Sequence, residues 1–124
     1  MVKAHSPGFL RVVADAKARV AECSVADVQA RLATGVPFVL VDVREESEYA
    51  AGHLPGAIHI GKGVIERDVE VKIPDATTPV VLYCGGGYRS ALAADAIQKI
   101  GYTNVLSMDG GWTAWTKGGL PTEK

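Results

Sequence analysis

The chemistry in this chain is concentrated in one stretch, Cys84-Gly85-Gly86-Gly87-Tyr88-Arg89-Ser90. Glycine can adopt positive φ without steric cost. Three in a row let successive backbone N–H groups turn inward and form a concave nest for an anion. A helix starting near Ser90 would add the positive end of its dipole. Arg89 would add a fixed charge with several donors. Cys84, at the lip of this cradle, is therefore expected to favour the thiolate, the nucleophilic form of the side chain. Such an arrangement suits covalent chemistry on an anionic or sulfur-bearing substrate. The competing reading is a buried structural cysteine beside a tight turn. Three consecutive glycines weigh against it, because they cost backbone entropy and bury no side chain unless a ligand must come close to the main chain.

Spacing narrows the chemistry. A phosphate loop of the GxxxxGK[ST] type needs a lysine after the glycines, and none is present. Cysteine phosphatases and arsenate reductases also cradle an anion between Cys and Arg. Their usual loop has a His before the Cys and five intervening residues, whereas here Tyr83 precedes Cys84 and four residues separate it from Arg89. The smaller ring fits a group smaller than a phosphoryl, such as one added sulfur atom.

The elements that position this loop are readable from apolar runs and their punctuation. Pro37–Val43, Ala57–Ile60, Pro79–Tyr83 and Val105–Met108 read as strands, the first and third apolar enough to be covered on both faces. Ser24 to Asp27 has the form of a capping box, Val25, Val28 and Leu32 share one helical face, and Gly35 can close that helix. Glu45–Ala51 and Ser90–Ile100 read as further helices, and Gly110-Gly111 opens a last one carrying Trp112 and Trp115. Residues 61–78 fit either a helix or a loop. Strands alternating with helices give an α/β fold with an open, mostly parallel central sheet. Ligands in such sheets bind beyond the carboxyl ends of the strands. Asp42, Cys84 and Asp109 all fall there.

Composition removes several other classes. With 124 residues the chain has room for one domain. Thirteen Lys and Arg against 14 Asp and Glu leave a formal net charge of −1, without the basic excess of a nucleic-acid-binding surface. No apolar run nears the roughly 20 residues of a membrane span. Cys23 and Cys84 form no CxxC pair, and thiols that stay free suit a reducing, cytoplasmic setting. Pro7, Gly8, Arg11, Asp15, Lys17 and Arg19 interrupt any secretory apolar region. Leu10, Val13, Ala14, Ala16 and Val20 suggest a short amphipathic helix instead. His5, His53 and His59 lack metal-binding spacing, so no metal is expected.

Three segments together carry a family resemblance: VDVREESEYAAGHLPGAIHI (41–60), VVLYCGGGYRSALAADAIQKIGY (80–102) and VLSMDGGWTAW (105–115). The chain resembles the single-domain rhodaneses, a sulfurtransferase family. The resemblance covers most of residues 24–121 and leaves 1–23 as an N-terminal extension. It implies a rhodanese-like sheet flanked by helices on both faces, Cys84 as catalytic nucleophile, and Gly85, Gly86, Gly87, Tyr88, Arg89 and Ser90 as substrate-binding residues. The implied reaction moves a sulfane sulfur from thiosulfate or a persulfide donor to cyanide, a thiol or a thioredoxin-like protein. It passes through a Cys84 persulfide and needs no cofactor. Some members carry cations inside the loop. Here Arg89 is the only one, which makes thiosulfate, a dianion, a weaker expectation as donor. The alternative within the same fold is a non-catalytic module that binds a partner or senses redox state.

Nearby residues receive plainer expectations. Asp42 either approaches the loop or braces backbone, and Arg44 is expected to pair with Glu48 one turn on. His53 and His59 are expected to hold turns. Tyr88 either shapes the pocket mouth or packs on the following helix. Trp112 and Trp115 are expected to cover the core, with Trp112 a candidate for the cleft edge. Glu66, Arg67, Asp68 and Glu70 read as a solvated face, and Cys23 as an inert thiol.

Overall fold

The computed structural model describes residues 5–124. The first four residues of the N-terminal extension lie outside the described residues. Helices α1 (Pro7–Lys17), α2 (Val25–Thr34), α3 (Glu46–Ala51), α4 (Ile65–Lys72), α5 (Tyr88–Ile100) and α6 (Gly111–Lys117) alternate with strands β1 (Ala21–Cys23), β2 (Val39–Asp42), β3 (Ile58–His59), β4 (Val80–Tyr83) and β5 (Val105–Met108). The five strands form one sheet in the order β1-β5-β4-β2-β3, and every pairing is parallel. The sheet is thus wholly parallel, as βαβ crossovers demand.

Both faces are covered, which explains the continuous apolar character of β2 and β4. On one face Ile65 and Val69 of α4 and Ala93, Ala94 and Ile97 of α5 pack on Val41, Val80 and Leu82. On the other, Val28 of α2, Tyr49 of α3 and Trp115 of α6 pack on Leu40, Val81 and Tyr83. The Ser24–Asp27 capping box forms with both reciprocal hydrogen bonds, and Gly35 ends α2 at φ 70°. Residues 61–78 resolve into a 3₁₀ turn (Lys62–Val64) followed by α4.

Three elements differ from the sequence reading. The extension contributes β1, a short edge strand paired with β5. Its helix α1 turns Val13 and Ala16 inward but leaves Leu10 42% exposed. Phe9, half-buried, takes the inward position that the sequence pattern gave to Leu10. Helix α5 begins two residues before Ser90, at Tyr88, with Gly87 as its N-cap.

Candidate active site

Cys84 is the first residue beyond β4, at the carboxyl edge of the sheet between β2 and β5. The loop it opens is held from behind. The first amides of α6 donate to its carbonyls: Trp112 N to Cys84 O at 2.7 Å and Thr113 N to Gly85 O at 2.9 Å. This seat exists because residue 111 is glycine. It sits at φ +53°, and a Cβ there would lie 2.3 Å from Cys84 O and 2.8 Å from Gly85 O.

With those carbonyls turned toward α6, amides face the sulfur. Gly87 N lies 3.1 Å from Cys84 Sγ and Ser90 N 3.4 Å. Gly87 offers α5 no side-chain cap, and the sulfur takes that place, accepting from the amide of the helix's third residue. Positive φ is open to all three loop glycines. Only Gly87 adopts it, at +97°, where the chain turns directly from loop into helix. Gly85 and Gly86 serve by leaving space. A Cβ on Gly85 would meet Arg89 Nη2 at 3.2 Å, and one on Gly86 would meet the Tyr88 ring at 3.3 Å.

Behind the sulfur is a buried hydroxyl pair. Ser90 Oγ is 3.6 Å from Cys84 Sγ and 2.8 Å from Ser107 Oγ, and both serines are fully buried. Ser107 lies on β5 opposite Leu82 of β4. Ser107 is not among the site residues expected from the sequence. A serine inside the apolar strand VLSM was the available signal.

Arg89 is not the free cation the sequence suggested. Its guanidinium pairs with Glu48 of α3, Nη1 to Oε1 at 2.9 Å. That hydrogen bond raises the affinity of Arg89 for its proton and holds the Glu48 carboxyl below the usual carboxylate range. The expected Arg44–Glu48 pair is accordingly corrected. Arg44 turns the other way and grips Asp42, with Nη2 to Oδ2 at 2.8 Å, and donates to Gly52 O at 2.7 Å. Charge burial decides this. Asp42 is fully buried and needs a cation, whereas Glu48 is partly exposed and finds Arg89. Asp42 also accepts from Tyr83 Oη and from the Arg44 amide, so it braces backbone next to the loop and lines no part of the site's depression. The Arg44 guanidinium lies 4.5 Å from the Trp112 ring, tying this buried pair to the helix that seats the Cys84 loop.

Cys84 itself is only 1% exposed, yet it forms part of the wall of an open depression of about 820 Å³. Tyr88, Arg89, Lys117 and Ala114 line the same depression, with His5 and Phe9 of the N-terminal extension. Tyr88 therefore shapes the mouth. Trp112 does not line it. Trp115 is buried in the core, His53 Nδ1 bonds Tyr49 O at 2.9 Å, and His59 Nε2 bonds Arg44 O at 2.7 Å. Arg67 and Asp68 pair on the surface. Cys23 is buried at the end of β1, and burial pushes its thiol up to about 11. Among the described residues no group of three or more His, Cys, Asp or Glu could hold a metal ion, and no helix is long and apolar enough to cross a membrane.

Residues 24–118 match the family model for the rhodanese-like domain. The chain belongs to the rhodanese-like family. The chain is 36% identical over 113 residues to a probable adenylyltransferase/sulfurtransferase, MoeZ, of Mycobacterium tuberculosis, covering 88% of this chain and 29% of that protein. It is 36% identical over 77 residues to the thiosulfate sulfurtransferase GlpE of Pseudoalteromonas translucida, covering 62% of this chain and 71% of the relative. The chain thus spans less than a third of MoeZ but most of GlpE. Among solved structures, a Rhodopseudomonas palustris protein of unknown function, described as a possible tyrosine phosphatase, superposes with a TM-score of 0.83 at 30% identity over 99% of both chains. The human single-domain sulfurtransferase TSTD1 gives 0.71 at 26% identity, over 77% of this chain and 95% of its own.

Proposed function

We propose that this rhodanese-like domain is a sulfurtransferase that carries sulfur as a persulfide on Cys84. The observation that carries the reading is the sulfur's setting: Sγ accepts the Gly87 and Ser90 amides at the α5 N-terminus and opens onto a depression large enough for a donor. In the first half-reaction the Cys84 thiolate attacks the outer sulfur of a donor such as thiosulfate. An S–S bond forms to Cys84, the donor's S–S bond breaks, and sulfite leaves with the electron pair. The persulfide is again an anion, and the loop amides that held the thiolate hold it too. An acceptor nucleophile, cyanide or a thiolate, then attacks the terminal sulfur and returns Cys84 to the thiolate. Two half-reactions sharing one covalent intermediate predict ping-pong kinetics.

The names of GlpE and TSTD1 support sulfur transfer as the chemistry. Phosphatase action, suggested by the Rhodopseudomonas palustris relative's description, is disfavoured by the four-residue gap between Cys84 and Arg89 and by the engagement of Arg89 with Glu48. Mass spectrometry after thiosulfate or glutathione persulfide treatment tests the reading. One added sulfur atom is expected on the wild type and none on Cys84→Ser, with its removal by cyanide. A protein that gains no sulfur from any donor, or that hydrolyses a phenyl phosphate instead, overturns it. The domain boundary at residue 24 and the cytoplasmic setting belong to the same proposal.

A further inference from the structure

The family match begins at residue 24, yet one wall of the Cys84 depression comes from before it. The His5 and Phe9 rings lie 5.2 Å apart, and both face Tyr88, at 4.4 Å and 6.1 Å between ring centroids. Helix α1 is tethered so as to keep them there. It packs along α5, with Val13 and Ala16 buried, and just beyond its end Arg19 bonds Asp95 of α5 through two nitrogens, at 3.0 and 2.8 Å. The rest of the lining is mostly backbone and small side chains, from Gly85, Gly86, Gly110, Thr113 and Ala114. The charge in the site is small. Arg89 is matched by Glu48, which leaves Lys117 as the one lining cation, among the described residues, without a carboxylate in ion-pair range.

We infer that α1 makes this site selective for a monoanionic organic sulfur donor bearing an apolar, preferably aromatic, substituent on its oxidised sulfur, in preference to thiosulfate. The inference deepens the sulfur-transfer reading and rests on it. Three aromatic rings around an opening give flat apolar surface that thiosulfate, a hydrated dianion, must shed water to approach, whereas a phenyl group gains by covering it. One unmatched cation suits one negative charge. Thiosulfate carries two.

Organic thiosulfonates test this directly, because they differ from thiosulfate and from each other only in the group on the oxidised sulfur. Cys84 attacks the sulfane sulfur of R–SO₂–S⁻, the S–S bond breaks, the sulfinate R–SO₂⁻ leaves with the electron pair, and the same persulfide remains. Rates with cyanide as acceptor are measured for benzenethiosulfonate, methanethiosulfonate and thiosulfate, each normalised to its uncatalysed rate. The expected kcat/KM is at least about tenfold higher for the benzene than for the methane donor, the discrimination a modest apolar contact supplies, and lowest for thiosulfate. Phe9→Ala should bring the benzene-to-methane ratio below about threefold. Phe9→Leu, which keeps apolar bulk for α1 to pack, should lower it part of the way. Equal use of the two thiosulfonates, a best rate with thiosulfate, or a ratio unmoved by both Phe9 variants overturns the inference while leaving sulfur transfer standing. Loading by glutathione persulfide but by none of the three also overturns the inference, whereas failure of all four donors to load Cys84 overturns the underlying reading instead.

Discussion

Replacing Gly111 with alanine should disable the site from outside it. The residue touches no part of the depression, but a Cβ at this position would sit 2.3 Å from Cys84 O, where contacts below 3.0 Å are essentially never seen. The loop or α6 must therefore give by at least about 0.7 Å. Left-handed backbone at φ +53° adds about 1–2 kcal/mol for any residue with a Cβ. The retreat also stretches the two hydrogen bonds from Trp112 N and Thr113 N, each worth about 1 kcal/mol. The sum is about 3–4 kcal/mol, or a fall in Tm of roughly 10–15 °C for a chain of this size. Gly35→Ala is the control. Gly35 also has positive φ, +70°, but nothing lies within 4 Å of its Cβ position. It should lose only the backbone share, about 1–2 kcal/mol, with persulfide loading intact. Thermal unfolding and the rate of sulfur loading on Cys84, read by mass spectrometry, measure both effects. A Gly111→Ala protein that loads sulfur at the wild-type rate and melts no lower than Gly35→Ala would refute the claim that α6 seats the loop.

Other outcomes follow from the same geometry. Glu48→Gln keeps the acceptor for the Glu45 amide, 2.9 Å away, but removes the charge that matches Arg89, so kcat/KM for thiosulfate should rise several-fold; an unchanged value counts against a neutralised Arg89. Removing the Ser107 hydroxyl, 2.8 Å from Ser90 Oγ, leaves the buried Ser90 hydroxyl without that partner and should slow sulfur loading on Cys84 several-fold; loading at the wild-type rate would mean that the hydroxyl pair does not position the sulfur. The Cys23 thiol, raised by burial to about 11 from an ordinary 9.0, should stay unlabelled at pH 7.5 while Cys84 reacts. The folded state holds the Cys23 proton more tightly than the unfolded chain. Stability should therefore be level below pH 9 and fall as pH rises between 9 and 11, relative to Cys23→Ala, in denaturant midpoints.

Much of the frame was legible because its signals are local. The apolar runs of β2 and β4, the Ser24–Asp27 box and the Gly35 stop each arise within a few residues, and each formed. The unreadable parts depend on residues far apart in the chain. β1 is three residues long and exists through its pairing with β5, which no local periodicity announces. In α1 Val13 and Ala16 face inward as their spacing predicts, but Phe9 takes the inward place expected for Leu10, because α5 and the Tyr88 ring select the buried face. Arg44 had an acceptable partner one turn away in Glu48. Only the fully buried Asp42 and the arrival of Arg89 from α5 decide against it.

The sequence by itself determined the parallel α/β frame, the place of Cys84 after a buried strand, and a glycine loop leading into a helix. Hydrophobic period, turn chemistry and residue order are properties of neighbouring positions. The tertiary structure alone decided which amides reach the sulfur, that Gly111 rather than Gly86 bears the steric demand, that Glu48 neutralises Arg89, that two serines from different elements stand behind Sγ, and that α1 walls the cleft. The amides lie only 3 and 6 residues from Cys84, but each of the others is a meeting of groups at least 17 residues apart, set by how helices pack on the sheet, and close packing allows one such arrangement where local rules allow many.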